Sequence, residues 1–306
     1  MNLHLFLAKL KPWMLPIAMV CGVLFHDCFE AVEFIAPYLI FVMLFITFCK
    51  VDGARIHPTR FSWYLLAVQV VGGILAYLLV RPFGSVLAMG FFICVFCPTA
   101  TAAPVITGML GGSITRLATF SIVSNIAVAI LAPVLFTLIG DGNGMTWQAM
   151  FSCMLVIARR VLPVIILPLV LAILTRWRFP RLTEKIAAHQ SISFYIWAVS
   201  LLLVVGRSVS FVMQEPVSEV PQMIVLAALA AVACIGQFAI GRRIGRRLGD
   251  KISGAQGLGQ KNTVLAIWMA MTFLNPISSV APAAYVAWQN IINSAQLYYK
   301  SRHGSV

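Results

Sequence analysis

The chain reads as a succession of apolar runs, separated by short connections that hold most of its charge. A helix needs about 20 mostly apolar residues to cross the hydrocarbon core of a bilayer. Ten such segments can be drawn, roughly 12–26, 31–49, 61–81, 85–108, 117–139, 149–175, 190–213, 221–241, 252–274 and 276–298. The first is short. Only "NPIS", Asn275 to Ser278, separates the last two, so a tight turn at Asn275-Pro276 must divide them. The pattern predicts an all-α integral membrane protein of ten transmembrane helices.

Two of the ten runs are interrupted. The fourth contains "CPTATAAP", in which Pro98 and Pro104 each remove a backbone donor and disfavour helix just before them. Thr99 and Thr101 lie between the two prolines. The ninth contains "GAQGLGQKN", with Gly254, Gly257 and Gly259 among Gln256, Gln260, Lys261 and Asn262. Glycine at this density weakens a helix, and the polar side chains are costly if they face lipid. Ten spans divide into five and five, and an odd number inverts a duplicated half. The expected arrangement is therefore two inverted five-helix repeats, residues 1–140 and 141–306, with discontinuous fourth and ninth helices. Broken backbone at membrane depth is tolerated where it is buried in protein or lines a wet cavity, so a pair of breaks points to a transporter binding site. A rival reading puts "GAQGLGQKN" in a cytoplasmic loop. The remaining helix, Thr263 to Phe273, would then reach roughly 16 Å, about half a bilayer core.

Charge refines this picture. The 22 Lys and Arg outnumber the nine Asp and Glu, giving a net charge of +13, and the mean hydropathy is +0.95. The basic residues gather in alternate connections, such as Arg176, Arg178, Arg181 and Lys185, or the run Arg242, Arg243, Arg246 and Arg247. Asp27, Glu30, Asp141, Glu215 and Glu219 fall in the others, where Arg81 is the basic exception. That asymmetry predicts ten spans with both termini cytoplasmic, in a plasma or inner membrane. It also makes the charge a topology signal, so no nucleic-acid partner is expected; the lipid bilayer is. Lys9 and Lys11 precede a span with no small-residue cleavage site, and no cleavable leader is expected.

No hydrolase or metal motif is present. The pair Cys94 and Cys97 has no second pair and no nearby histidine, and reads as soft packing. Neither a cofactor nor a metal is expected, and the chain does not read as an enzyme. Intramembrane cations are what remain. Arg159 and Arg160 in the sixth span either line a cavity and contact an anion or snorkel to the interface. Lys261 has no acid within a span to pair with. Gln237 echoes Gln69, each with a glycine four residues on, although the span registers differ.

The same stretches carry a resemblance to the bile acid:sodium symporter family. "CPTATAAPVITGMLGG" resembles its "CPGGTASNV" segment, "GQKNTVLA" its "GMQNSGLA", and "TFSIVSNI…LAP" its "VST…LAP" helix. "AVQVVGG" resembles a glutamine-bearing stretch of its third span. The resemblance implies a core domain of spans 3–5 and 8–10 with two crossing discontinuous helices. A panel domain of spans 1–2 and 6–7 would face it. Carried over by position, Gln69 matches a residue of the second sodium site, Ser121 and Asn125 match the first, and Asn262 and Thr263 lie at the crossing. Three positions depart from the pattern. The family's Ser-Asn is Ala103-Pro104, its shared glutamate is Gly257, and the glutamine of "GMQNSG" is Lys261.

Sodium sites are built from oxygen ligands, often with a carboxylate. An ammonium at the second site would repel the ion at close range. The resemblance and its departures together imply a secondary active transporter of a small organic anion by alternating access, in which Lys261 replaces a bound sodium ion. Such a carrier would be sodium-independent and proton-coupled, an exchanger or a uniporter. Three rivals stand beside it: Lys261 only satisfies unwound carbonyls; the chain is a conventional sodium symporter of bile-acid-like or other anions; or it is a transport-inactive receptor or scaffold that keeps the fold.

Overall fold

In a computed structural model, residues 14–30, 32–49, 57–100, 102–139, 146–189, 191–214 and 217–304 are described. Among them the chain is all helical. The elements are α1 (Met14–Leu24), α2 (His26–Glu30), α3 (Ala36–Phe48), α4 (Arg60–Val80), α5 (Ser85–Phe96), α6 (Ala103–Leu110), α7 (Ile114–Ile139) and α8 (Trp147–Arg178). They continue as α9 (Pro180–Ala188), α10 (Ser191–Met213), α11 (Val220–Arg247), α12 (Lys251–Gly259), α13 (Thr263–Phe273) and α14 (Val280–His303). Short 3-10 turns precede α3, follow α4, and lead into α11 and α14. Three stretches, Arg60–Phe83, Ile114–Ile139 and Val217–Arg247, are each long and apolar enough to cross a membrane. Exposed Leu75, Leu79, Ile130, Leu138, Val232 and Ile235 give these helices apolar outer surfaces. The molecule is an integral membrane protein.

The breaks fall where the chemistry of the chain demands them. Helix α5 stops at Phe96, and Cys97 adopts ψ 144° ahead of Pro98, as the residue before a proline prefers. Helix α6 restarts with Pro104 in its first turn and ends at Gly111, whose φ of +90° is the left-handed cap that suits glycine. Asp250 caps α12 by accepting from Ser253 N, and Asn262 caps α13 by accepting from Leu265 N. The turn expected at Asn275-Pro276 is a capped 3-10 turn, with Asn275 Oδ1 accepting from Ile277 N at 3.0 Å.

One feature differs from expectation. Helix α9 matches none of the ten runs. It is strongly amphipathic: Thr183 is buried, Ile186 and Ala187 pack against the core, and Arg181, Glu184 and Lys185 are exposed.

Packing gathers around the breaks. Phe92 and Phe96 of α5 stack on each other at 5.0 Å and meet Phe136 of α7 edge-on, while Phe136 stacks on Phe273 of α13 at 5.6 Å. Offset and edge-on aromatic pairs of this kind add about 0.5–1.5 kcal/mol each beyond their buried area. On the other side, α11 and α12 run antiparallel with almost no gap between their backbones. A Cβ on Gly241 would lie 2.2 Å from the Gly254 carbonyl oxygen. At the base of this pair Asp250 accepts from Ser113 N at 2.9 Å and so ties the α6–α7 turn to the start of α12. The consequence is that the two interrupted helices are held face to face.

Candidate functional site

The segments between the half-helices cross and pair. Ala100 N donates to the Gln260 carbonyl at 3.0 Å, and Asn262 N donates to the Pro98 carbonyl at 2.9 Å. These bonds flank an isolated antiparallel bridge between Thr99 and Lys261. Four half-helix ends therefore converge: the C-termini of α5 and α12, and the N-termini of α6 and α13. Backbone dipoles leave partial negative charge at the first pair and partial positive charge at the second.

Lys261 lies at the negative end. Its side chain is 1% exposed, and Nζ donates to the Val95 carbonyl at 2.8 Å and the Cys97 carbonyl at 2.9 Å. Helix geometry leaves the last carbonyls of α5 without intrahelical partners. Gln69 of α4 shares the task, with Nε2 donating to Phe96 O at 2.8 Å and Cys97 O at 3.2 Å. Its Oε1 accepts from Ser124 Oγ at 2.8 Å, and Ser124 Oγ in turn accepts from Thr99 N. Thr99 Oγ1 donates to the Gly257 carbonyl at 2.8 Å.

Ser121 and Asn125 of α7 lie beside this set. Asn125 Nδ2 donates to Ser121 O at 2.7 Å and to Thr99 O at 3.4 Å. Ser121 Oγ and Asn125 Oδ1 are buried without a partner among the described residues. At Gly257 a Cβ would come within 3.0 Å of Leu65 Cδ1 and 3.1 Å of Phe120 Cδ1. Apolar side chains fill the space into which a longer side chain there would extend.

The second half of the chain adds further contacts to the same broken helix. Gln237 of α11 donates to Cys94 O at 3.1 Å and to Tyr285 Oη at 3.0 Å, and Tyr285 Oη donates to Gly259 O at the end of α12. Gln69 and Gln237 thus both donate to carbonyls near the end of α5. Gln289 of α14 accepts from Lys261 N at 2.9 Å.

A cavity of about 80 Å³ opens on the other side of the crossing. Gln260, Lys261, Asn262 and Thr263 line it, with Gln289 and Asn290 of α14, Ala102 at the start of α6, and Ile40, Met43, Ser200, Leu201 and Val204 of α3 and α10. No acidic residue lines it among the described residues. Gln256 is behind this wall: its Oε1 accepts from Gln260 Nε2, and its Nε2 donates to Gln296 Oε1 at 2.9 Å.

Of the residues expected in the site, Gln69, Ser121, Asn125, Gln256, Gln260, Lys261, Asn262 and Thr263 are brought together around the crossing. Thr101 lies outside the described residues. Arg159 is exposed on α8 and does not line the cavity, and the Arg160 side chain is also outside the described part. Sequence reasoning missed Ser124, Tyr285, Gln289 and Asn290. The signal for the last two was available, because adjacent polar residues inside an apolar run are costly in lipid.

The model of the SBF-like CPA transporter family matches residues 47–291. No curated protein matches the chain. The matched stretch runs from the end of α3 into α14 and includes both broken helices, their crossing and the cavity lining except Ile40 and Met43. The protein is thus a member of the SBF-like CPA transporter family.

Proposed function

We propose that this protein is a secondary transporter of an organic anion, working by alternating access, in which the Lys261 ammonium takes the place of a bound cation. The observation that carries this reading is the position of Lys261 Nζ, buried and donating to two carbonyls at the C-terminal end of α5. Carbonyls at a broken-helix C-terminus are the groups with which transporters coordinate cations. The packing of Leu65 and Phe120 against Gly257 supports it as well, since a carboxylate ligand there would need those side chains to move. The N-termini of α6 and α13 at the cavity wall favour an anion. Lys261 therefore both satisfies unwound carbonyls and supplies a fixed positive charge behind the anion.

The ten apolar runs form two inverted repeats on this reading, with both termini cytoplasmic. Supporting it are the breaks at the fourth run of each half and the paired glutamines Gln69 and Gln237. The cavity lies where α3 and α10 meet α6, α13 and α14, which suits a panel that a core domain rocks against. Sodium is not needed. A purified sample should therefore melt at the same temperature in sodium, potassium and choline chloride. Proteoliposomes should exchange labelled short-chain carboxylates without sodium. A saturated ligand site stabilises by about 2.7 kcal/mol at a hundredfold excess over Kd, so a real sodium site would raise Tm by several degrees.

A second reading keeps one sodium ion beside α7, because Ser121 Oγ and Asn125 Oδ1 are buried oxygens with no partner among the described residues. Sodium-dependent stabilisation that disappears in Asn125→Ala would favour it.

A further inference from the structure

The polar side chains of the cavity are not free to present either end to a ligand. A backbone N–H can only donate and a backbone carbonyl can only accept, so contact with the main chain settles which way an amide points. Gln289 turns its oxygen to Lys261 N, and Asn262 turns its oxygen to Leu265 N at 3.2 Å. Each thereby keeps its NH2 group for the cavity. Asn290 is reversed: one N–H of its Nδ2 donates to Val286 O at 2.7 Å, which holds the amide nitrogen to its own helix and turns Oδ1 away from that bond. Ser200, across the cavity on α10, donates its proton to Ile196 O at 2.9 Å and keeps only lone pairs. No hydrogen bond among the described residues uses these four remaining groups. Gln289, Asn290 and Ser200 are 8%, 3% and 4% exposed, so little besides a cargo can reach them.

The cavity thus has two polarities. Asn262 and Gln289 offer donors beside the N-terminus of α13, where an anion is favoured. Asn290 and Ser200 offer acceptors, which a carboxylate cannot use because it has no proton to give. A cargo that meets both must carry a donor of its own. At about 80 Å³ the cavity is also far below the 300–1,000 Å³ typical of drug-sized ligands.

We propose that the cargo is a small carboxylate bearing a hydroxyl or amino donor, with its carboxylate toward Asn262 and Gln289 and its donor toward Asn290 and Ser200. This rests on the anion reading of the site and narrows it. A simple fatty acid would leave Asn290 Oδ1 buried against an apolar chain, and an unmet buried polar group weakens binding by about tenfold or more.

The test uses purified full-length protein and matched pairs of acids: lactate with propionate, and 2-hydroxyisovalerate with isovalerate, each titrated by thermal shift. The hydroxy acid of each pair should bind about tenfold more tightly or better. Asn290→Leu should bring the two within about twofold, by weakening the hydroxy acid alone. Ser200→Ala provides a milder variant, with a smaller narrowing, should Asn290→Leu not yield folded protein. Equal affinity within each pair in the wild type would overturn the proposal, as would a variant that weakens both members alike. If no acid of either kind binds, the anion reading falls and takes this inference with it.

Discussion

Lys261→Met should yield a bundle that folds, melts lower and no longer carries anions. The substitution removes the donor to Val95 O and Cys97 O. Cys97 O keeps Gln69 Nε2 at 3.2 Å, so Val95 O bears most of the loss. Leaving a buried acceptor unmet costs about 1–3 kcal/mol, while relief of the buried charge acts in the opposite direction. The hydrogen-bond loss should prevail, because the ammonium makes two hydrogen bonds where it lies and the half-helix end already favours it. A net loss of about 2 kcal/mol lowers Tm by roughly 3 °C in a chain of this size. Anion exchange in proteoliposomes should fall to the rate of empty vesicles, since no other cationic side chain among the described residues lines the cavity. Lys261→Arg should rescue little. A planar five-donor head does not fit a buried site that offers an ammonium two acceptors.

Gly254→Ala should be more damaging still. A Cβ there lies 2.2 Å from the Gly241 carbonyl oxygen and 2.7 Å from Gly245 Cα, both backbone atoms that cannot rotate aside. The helices must separate, and α12 would carry the Asp250–Ser113 tie and the crossing with it. Overpacking by one methyl costs typically 1–3 kcal/mol, and a backbone clash at this distance should exceed about 3 kcal/mol. The expected result is little monodisperse protein on size-exclusion chromatography. Ala at Gly236, where nothing lies within 4 Å of an added Cβ, should leave the yield unchanged.

The breaks were legible because proline and glycine act locally. Pro98 and Pro104 bound the first, and the Gly254–Gly259 run weakens the backbone ahead of the second. Burial of Lys261 could be argued from helix length alone, since Thr263–Phe273 is too short to span. What surrounds Lys261 could not be read that way. Its acceptors come from residues more than 160 positions away, and its backbone partner Gln289 lies on another helix. Ser124 was passed over between Ser121 and Asn125 because only the third dimension turns it toward Gln69 and Thr99. Helix α9 was hidden because nine amphipathic residues in a basic connection carry no long apolar run. For Arg159 the sequence could place the residue within a span, but not on which face of the helix it lies.

Removing the tethered charge tests the central claim most directly. Lys261→Ala opens a space beside the carbonyls of Val95 and Cys97, and a small free cation should enter it. Thermal melting of the wild type and of Lys261→Ala, each in choline, sodium and n-propylammonium chloride, reads this out. The account predicts a wild type indifferent to the cation, and a variant that melts several degrees lower in choline but recovers in sodium or propylammonium. A wild type stabilised by sodium, beside a variant that no cation restores, would contradict it.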